Sequence, residues 1–70
     1  MFIYTKHALE KMDGLGIEKK EVELAVKQGM KWKEEGSDKW HARMVGIEVV
    51  FMKKNKDIFI ITAYLAGGSR

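Results

Sequence analysis

Seventy residues, with 13 Lys and Arg against 10 Asp and Glu, two His and neither Cys nor Pro, allow one small and mildly basic domain. Without cysteine there are no disulfides or thiolate metal sites, so apolar packing or a partner chain must close a core that buries only about 60% of the unfolded surface at this size. No apolar run reaches the ~18 residues of a membrane span, and the opening Met-Phe-Ile-Tyr-Thr-Lys-His lacks the apolar stretch of a signal peptide, so the chain reads as cytoplasmic. A net charge of +3 would assist attraction to a polyanion such as RNA, although alone it reads as a solvated Lys/Glu surface.

Thr5 has the chemistry of an N-cap, its hydroxyl accepting from a backbone N–H in the next turn. Ala8, Leu9 and Met12 follow at the i, i+3, i+4 spacing of an apolar stripe, which predicts a helix over 6–13 stopped by Gly14. A second helix is predicted over 19–28. Glu18 stands at its N-cap with Glu21 at N3, Ile17 and Val22 form a hydrophobic staple, and Val22, Ala25 and Val26 continue the buried stripe to Gly29.

From Met30 the period changes to two. Met30 and Trp32 alternate with Lys31 and Lys33, Trp40, Ala42 and Met44 with Lys39, His41 and Arg43, and Ile47, Val49 and Phe51 with Glu48, Val50 and Met52. Ile58 to Leu65 is β-branched and aromatic almost throughout. A two-residue turn at Val45-Gly46 would pair Met44 with Ile47, Ala42 with Val49 and Trp40 with Phe51, giving a consistently apolar face. A turn at Asn55-Lys56 would extend that face by pairing Phe51 with Ile60 and Val49 with Thr62. The expected architecture is therefore α+β, with two N-terminal helices packed on a three- to four-stranded antiparallel sheet. One domain spans 1–66, and Gly-Gly-Ser-Arg at 67–70 is expected to be a disordered end.

The other sheet face then carries Lys39, His41, Arg43 and Glu48 on one side and Val50, Met52, Phe59, Ile61, Ala63 and Leu65 on the other, with nothing in the chain left to cover it. Either the sheet curls on itself, or Val50, Met52, Phe59 and Ile61 form an interface for a second copy or another protein.

RNA cleavage by 2′-hydroxyl attack needs a base, an acid and a cation for the phosphorane charge. His7, His41 and Arg43 supply those types, His7 in a first helical turn where backbone N–H groups attract anions. Read structurally, His7 is a capping or surface residue and His41 a solvent-facing strand residue. Tyr64 and Thr62 could position a phosphate or simply fill the core, and Trp40 and Trp32 read as core. Lys6, Lys39, Lys53 and Lys54 are candidate nucleic-acid contacts among scattered lysines. Two histidines 34 positions apart have no recognised metal-ligand spacing, and there is no phosphate loop, nucleophile elbow or notable carboxylate pair, so neither metal nor cofactor is expected.

Thr5-Lys6-His7-Ala8-Leu9-Glu10-Lys11-Met12, then Gly16-Ile17-Glu18 and Glu21-Val22, resembles the His-Ala-x-x-x-Met and Gly-Ile opening of a family of small prokaryotic proteins related to RelE-like toxins. Gly46 to Phe51 and Ile61-Thr62-Ala63-Tyr64 resemble its later strands. The resemblance implies a RelE-like fold and a toxin-type endoribonuclease neutralised by an antitoxin protein, with His7, Arg43 and Tyr64 at matching positions. The last strand carries no arginine where characterised toxins place one. Two alternatives stand beside that expectation: a non-catalytic module of the same fold, dimeric or partner-bound through the second sheet face, and an RNA-binding module.

Overall fold

In the computed structural model, which describes residues 1–66, the chain runs β1 (Phe2–Tyr4), α1 (Lys6–Leu15), α2 (Lys19–Gln28), β2 (Met30–Lys33), β3 (Lys39–Met44), β4 (Ile47–Lys54) and β5 (Asp57–Leu65). The Gly-Gly-Ser-Arg end lies outside the described residues. The class is α+β as expected, but the sheet has five strands rather than three or four, in the order β1-β5-β4-β3-β2. The addition is β1, whose three residues are too few to show a period. It forms because Phe2, Ile3 and Tyr4 dock parallel to Ile58, Phe59 and Ile60, which makes the sheet mixed. Among the described residues no helix is long and apolar enough to cross a membrane.

The Thr5 hydroxyl caps α1 by accepting from the Ala8 N–H at 3.1 Å. The helix runs two residues past the expected 6–13 limit, because the left-handed residue its C-terminus requires is Gly16 (φ 72°), not Gly14. There the Ile17 N–H donates to the Met12 carbonyl at 2.8 Å and Ile17 tucks into the core. Helix α2 has the expected limits, and the Glu21 carboxylate accepts from the Glu18 N–H at 2.8 Å. At its end Gly29 is required by close approach. A Cβ there would lie 2.5 Å from the Ala25 carbonyl oxygen and 2.7 Å from that of Arg43, so the glycine lets α2 seat directly on β3.

Ala8, Met12, Val22, Ala25 and Val26 of the helices pack on Ala42, Val49, Phe51, Ile60 and Ala63 of the sheet. The first hairpin has the expected register, with Met44 opposite Ile47, Ala42 opposite Val49 and Trp40 opposite Phe51. Val45 and Gly46 turn it with φ of 52° and 78°, a conformation uncomfortable for a β-branched residue.

The second hairpin departs from expectation halfway along. Phe51 pairs with Ile60 as predicted, but Val49 pairs with Ala63, not Thr62, because a β-bulge at Val50/Phe51 leaves Ile61 as an extra residue on β5. One extra residue inverts the alternation that follows. Ala63 is consequently fully buried under the helices rather than on the open face, and Leu65 falls opposite core-facing Ile47. Thr62 and Tyr64 turn instead to the open face, opposite Val50 and Glu48. The bulge is tied down by Thr5, whose N–H reaches the Ile60 carbonyl at 3.2 Å and whose hydroxyl oxygen is 3.0 and 3.1 Å from the Ile60 and Ile61 carbonyls, to which it donates.

Candidate functional site

The open face holds Glu48, the one buried charged side chain among the described residues, at 5% exposure. In a domain this small a buried carboxylate is costly unless its oxygens are fully served. Here they are. Arg43 donates to Oε1 through Nη2 at 2.8 Å and Nε at 3.3 Å, and Oε2 accepts from Nδ1 of His41 at 2.8 Å and from the Tyr64 hydroxyl. Register supplies these partners. Arg43 is directly across from Glu48 on β3, Tyr64 directly across on β5 because of the bulge, and His41 is one step along β3 on the same face.

His41 is held from a second side. Its Nε2 faces Oε2 of Glu34 at 3.2 Å, and the Glu34 carboxylate is fixed by the Ser37 hydroxyl at 2.9 Å. Glu34 belongs to the 34–38 connection between β2 and β3, where Gly36 (φ 79°) takes a left-handed turn and Ser37 accepts from the Lys39 N–H at 3.0 Å. An ionised carboxylate accepts and cannot donate, so two carboxylates on the two ring nitrogens are fully satisfied only by the imidazolium. Burial pulls the His41 pKa down, but the hydrogen bonds to Glu48 and Glu34 outweigh it and hold the ring above its usual 6.5.

The carboxylates respond in kind. Burial would raise Glu48, yet hydrogen bonds from Tyr64, Arg43 and His41 overcome that and keep it below 4.5. Glu34 is lowered by its bonds to His41 and Ser37. The Tyr64 hydroxyl, donating to Glu48 and partly buried, is raised to about 12.

Trp32 roofs the cluster. It lies across from His41 on β2 and stacks on the imidazole, with ring centroids 5.2 Å apart and planes within 8°. The Arg43 guanidinium carbon is 5.9 Å from the indole centroid. Trp32 therefore belongs to the open face, which corrects the expectation that it is a core residue. Trp40 does face the core side, packed 6.5 Å from Phe51.

The structure thus brings together three of the four expected catalytic residues, His41, Arg43 and Tyr64, and separates the fourth. His7 is exposed on the first turn of α1, in the helical layer behind the sheet, and makes no side-chain hydrogen bond among the described residues. Of the expected nucleic-acid contacts, Lys39 is on the cluster's own face, Lys53 and Lys54 are at the far end of β4, and Lys6 is on α1. Val50 is already buried between neighbouring strands, whereas Met52, Phe59 and Ile61 are half-buried beside the cluster.

The sequence places Glu48 on this face with His41 and Arg43 but marks no role for it, and neither Glu34 nor a carboxylate pair stands out in it, although Glu34 and Glu48 bracket His41. The available signal was a lone acid inside the apolar run Ile47-Glu48-Val49-Val50-Phe51. Among the described residues no group of three or more His, Cys, Asp or Glu is placed to hold a metal ion. No protein-family model, no curated protein and no solved structure matches this chain.

Proposed function

We propose that this chain is a small endoribonuclease of the RelE-like toxin type, acting at the His41–Glu34–Arg43 constellation. The observation that carries the reading is the buried Glu48 carboxylate, which organises a protonated histidine and a guanidinium at the surface of the open face. Compared with apolar packing of the same volume such a centre adds little stability, because desolvation offsets much of its attraction, although removing one partner of it is costly.

The chemistry follows from the geometry. Glu34, with its side chain 45% exposed, takes the proton of an RNA 2′-hydroxyl as that oxygen attacks the adjacent phosphorus. His41 donates its Nε2 proton to the departing 5′-oxygen, leaving a 2′,3′-cyclic phosphate and a 5′-hydroxyl. Arg43, half-exposed despite its bond to Glu48, balances the charge that accumulates on the phosphorane oxygens. Glu48 and Tyr64 are positioning residues that fix the imidazole and guanidinium, and Trp32 presents an aromatic surface to a base. The sequence likeness at Thr5–Met12 and Ile61–Tyr64 supports the toxin-type assignment.

The purified chain should cleave single-stranded RNA to 2′,3′-cyclic ends and leave the 2′-deoxy analogue intact. His41→Ala and Arg43→Ala should each lower the rate by about 10²-fold or more, and expression of the active chain should arrest growth. Intact RNA at high enzyme concentration, or His41→Ala acting like the parent, would refute catalysis.

A second reading is favoured by the half-buried Met52, Phe59 and Ile61 beside the cluster: a non-catalytic module whose open face meets a second copy or an antitoxin-like protein. Sedimentation as a concentration-independent monomer, without RNA cleavage, would count against its dimeric form.

A further inference from the structure

The sheet ends, beyond the helices, in a groove of about 470 Å³ lined by Lys33, Asp38, Trp40, Met52, Lys53 and Lys54. Register explains the convergence. Lys33 is opposite Trp40, Trp40 is opposite Phe51, and Lys53 is the next residue of β4 on that same face, while Met52 and Lys54 point to the other. Three lysines line this sheet end with one carboxylate, Asp38, among the lining residues and a second, Asp57, directly across from Lys54 on β5. Among the described residues none of the three lysines is within ion-pair distance of an acid. The Lys53 ammonium lies 4.7 Å from the Trp40 ring centroid, so the indole holds that cation at the groove by its π-face.

Met52 and Lys54 bring the groove to the open face that carries the His41 cluster, whereas Lys33, Trp40 and Lys53 line it from the helix side. Lys39, opposite Met52, is the next residue beyond His41 on the open face. From the level of Val50, directly across from His41, to Lys54 is four strand residues, about 13 Å at ~3.3 Å each. That span exceeds one internucleotide step. A strand cleaved at His41 and lying on the open face would therefore carry a further backbone phosphate to Lys54, beside which Lys53 and Lys33 stand at the sheet end.

We propose that the Lys33–Lys53–Lys54 groove is a remote phosphate subsite for single-stranded RNA, which makes the chain prefer oligonucleotides over dinucleotides. This deepens the reading of His41, Glu34 and Arg43 as an RNA-cleaving centre and rests on it. Lysine suits the role, as a mobile point charge that tolerates any base sequence.

The test measures binding of a fluorescent 2′-O-methyl pentanucleotide, which cannot be cut, beside a 2′-O-methyl dinucleotide over a range of salt concentrations. The parent should bind the pentamer more tightly. The triple variant Lys33→Ala, Lys53→Ala, Lys54→Ala, with its fold checked by circular dichroism, should lose that advantage and reduce the salt slope by about 0.7, the value for one phosphate contact on a single strand. Dinucleotide affinity should stay at the parent value. Equal parent affinity for the two lengths, an unchanged salt slope in the variant, or equal losses for both probes would each overturn the subsite. Cleavage of an unmodified pentanucleotide is read separately: its absence with pentamer binding intact sinks the catalytic assignment, whereas cleavage with equal affinity for the two lengths sinks the subsite alone.

Discussion

Glu48→Gln tests the organising role of the buried carboxylate. The substitution is isosteric and keeps one oxygen, which can still accept from Arg43. Its amide NH₂ then meets His41 Nδ1 and the Tyr64 hydroxyl, both of which donate to the native carboxylate. His41 can pair with that amide only by giving up its Nδ1 proton, and Tyr64 only by rotating its hydroxyl to accept. Two charge-assisted bonds, each worth about 1.5–3 kcal/mol, become neutral ones worth about 0.5–1.5, a loss of about 2–3 kcal/mol together. Arg43 adds little, because its half-exposed guanidinium keeps much of its hydration. A 70-residue domain has about 3.5–10 kcal/mol in all, so the loss is a large fraction of the total. At about 4–8 °C per kcal/mol the melting temperature should fall by roughly 10–20 °C. His41, above 6.5 in the parent, should titrate at lower pH in the variant, because Glu48 is gone while the burial that opposes charging remains. Thermal melts by circular dichroism and imidazole titration by NMR read the two effects. A melting temperature within a few degrees of the parent, with His41 titrating as before, would refute the account of Glu48 as the hub.

Stability should vary with pH in a direction set by these groups. His41 is raised above its unfolded 6.5, so its contribution is complete below 6.5 and disappears as pH climbs through the folded value. Glu48 and Glu34 are lowered from 4.5, so theirs is complete above 4.5 and disappears as pH falls through their folded values. Urea midpoints should therefore be highest between pH 4.5 and 6.5 and decline on the alkaline side, a decline that His41→Gln should remove. An alkaline limb identical in parent and variant would contradict this. Gly29→Ala should destabilise by about 2 kcal/mol or more, since two backbone carbonyls stand inside the contact distance of the new methyl and α2 must lift from β3. A melting temperature equal to the parent's would show that the close packing at that helix end is dispensable.

Much of this molecule is written locally in its sequence. The α2 limits follow from Ile17-Glu18 at one end and Gly29 at the other, and the β3–β4 register from Ala42, Val49, Trp40 and Phe51, whose apolar character forbids a one-residue slip. Arg43 and Glu48 were legible as neighbours on one face for the same reason. What the sequence could not settle is non-local. Strand β1 exists only because β5 offers it a parallel edge, and the bulge at Ile61 exists only where Thr5, far away in the chain, serves the Ile60 and Ile61 carbonyls. An extra residue in a uniformly β-branched strand leaves no periodic mark, yet it sends Ala63 inward and Tyr64 outward onto Glu48. Likewise His7 and His41 were equal candidates by residue type. The pairing of β2 with β3 separates them, placing Trp32 and Glu34 around His41 and leaving His7 alone on the helical layer. Periodicity determined which faces form, and tertiary pairing decided which side chains meet on them, because a hydrogen bond between distant strands depends on register that no single segment encodes.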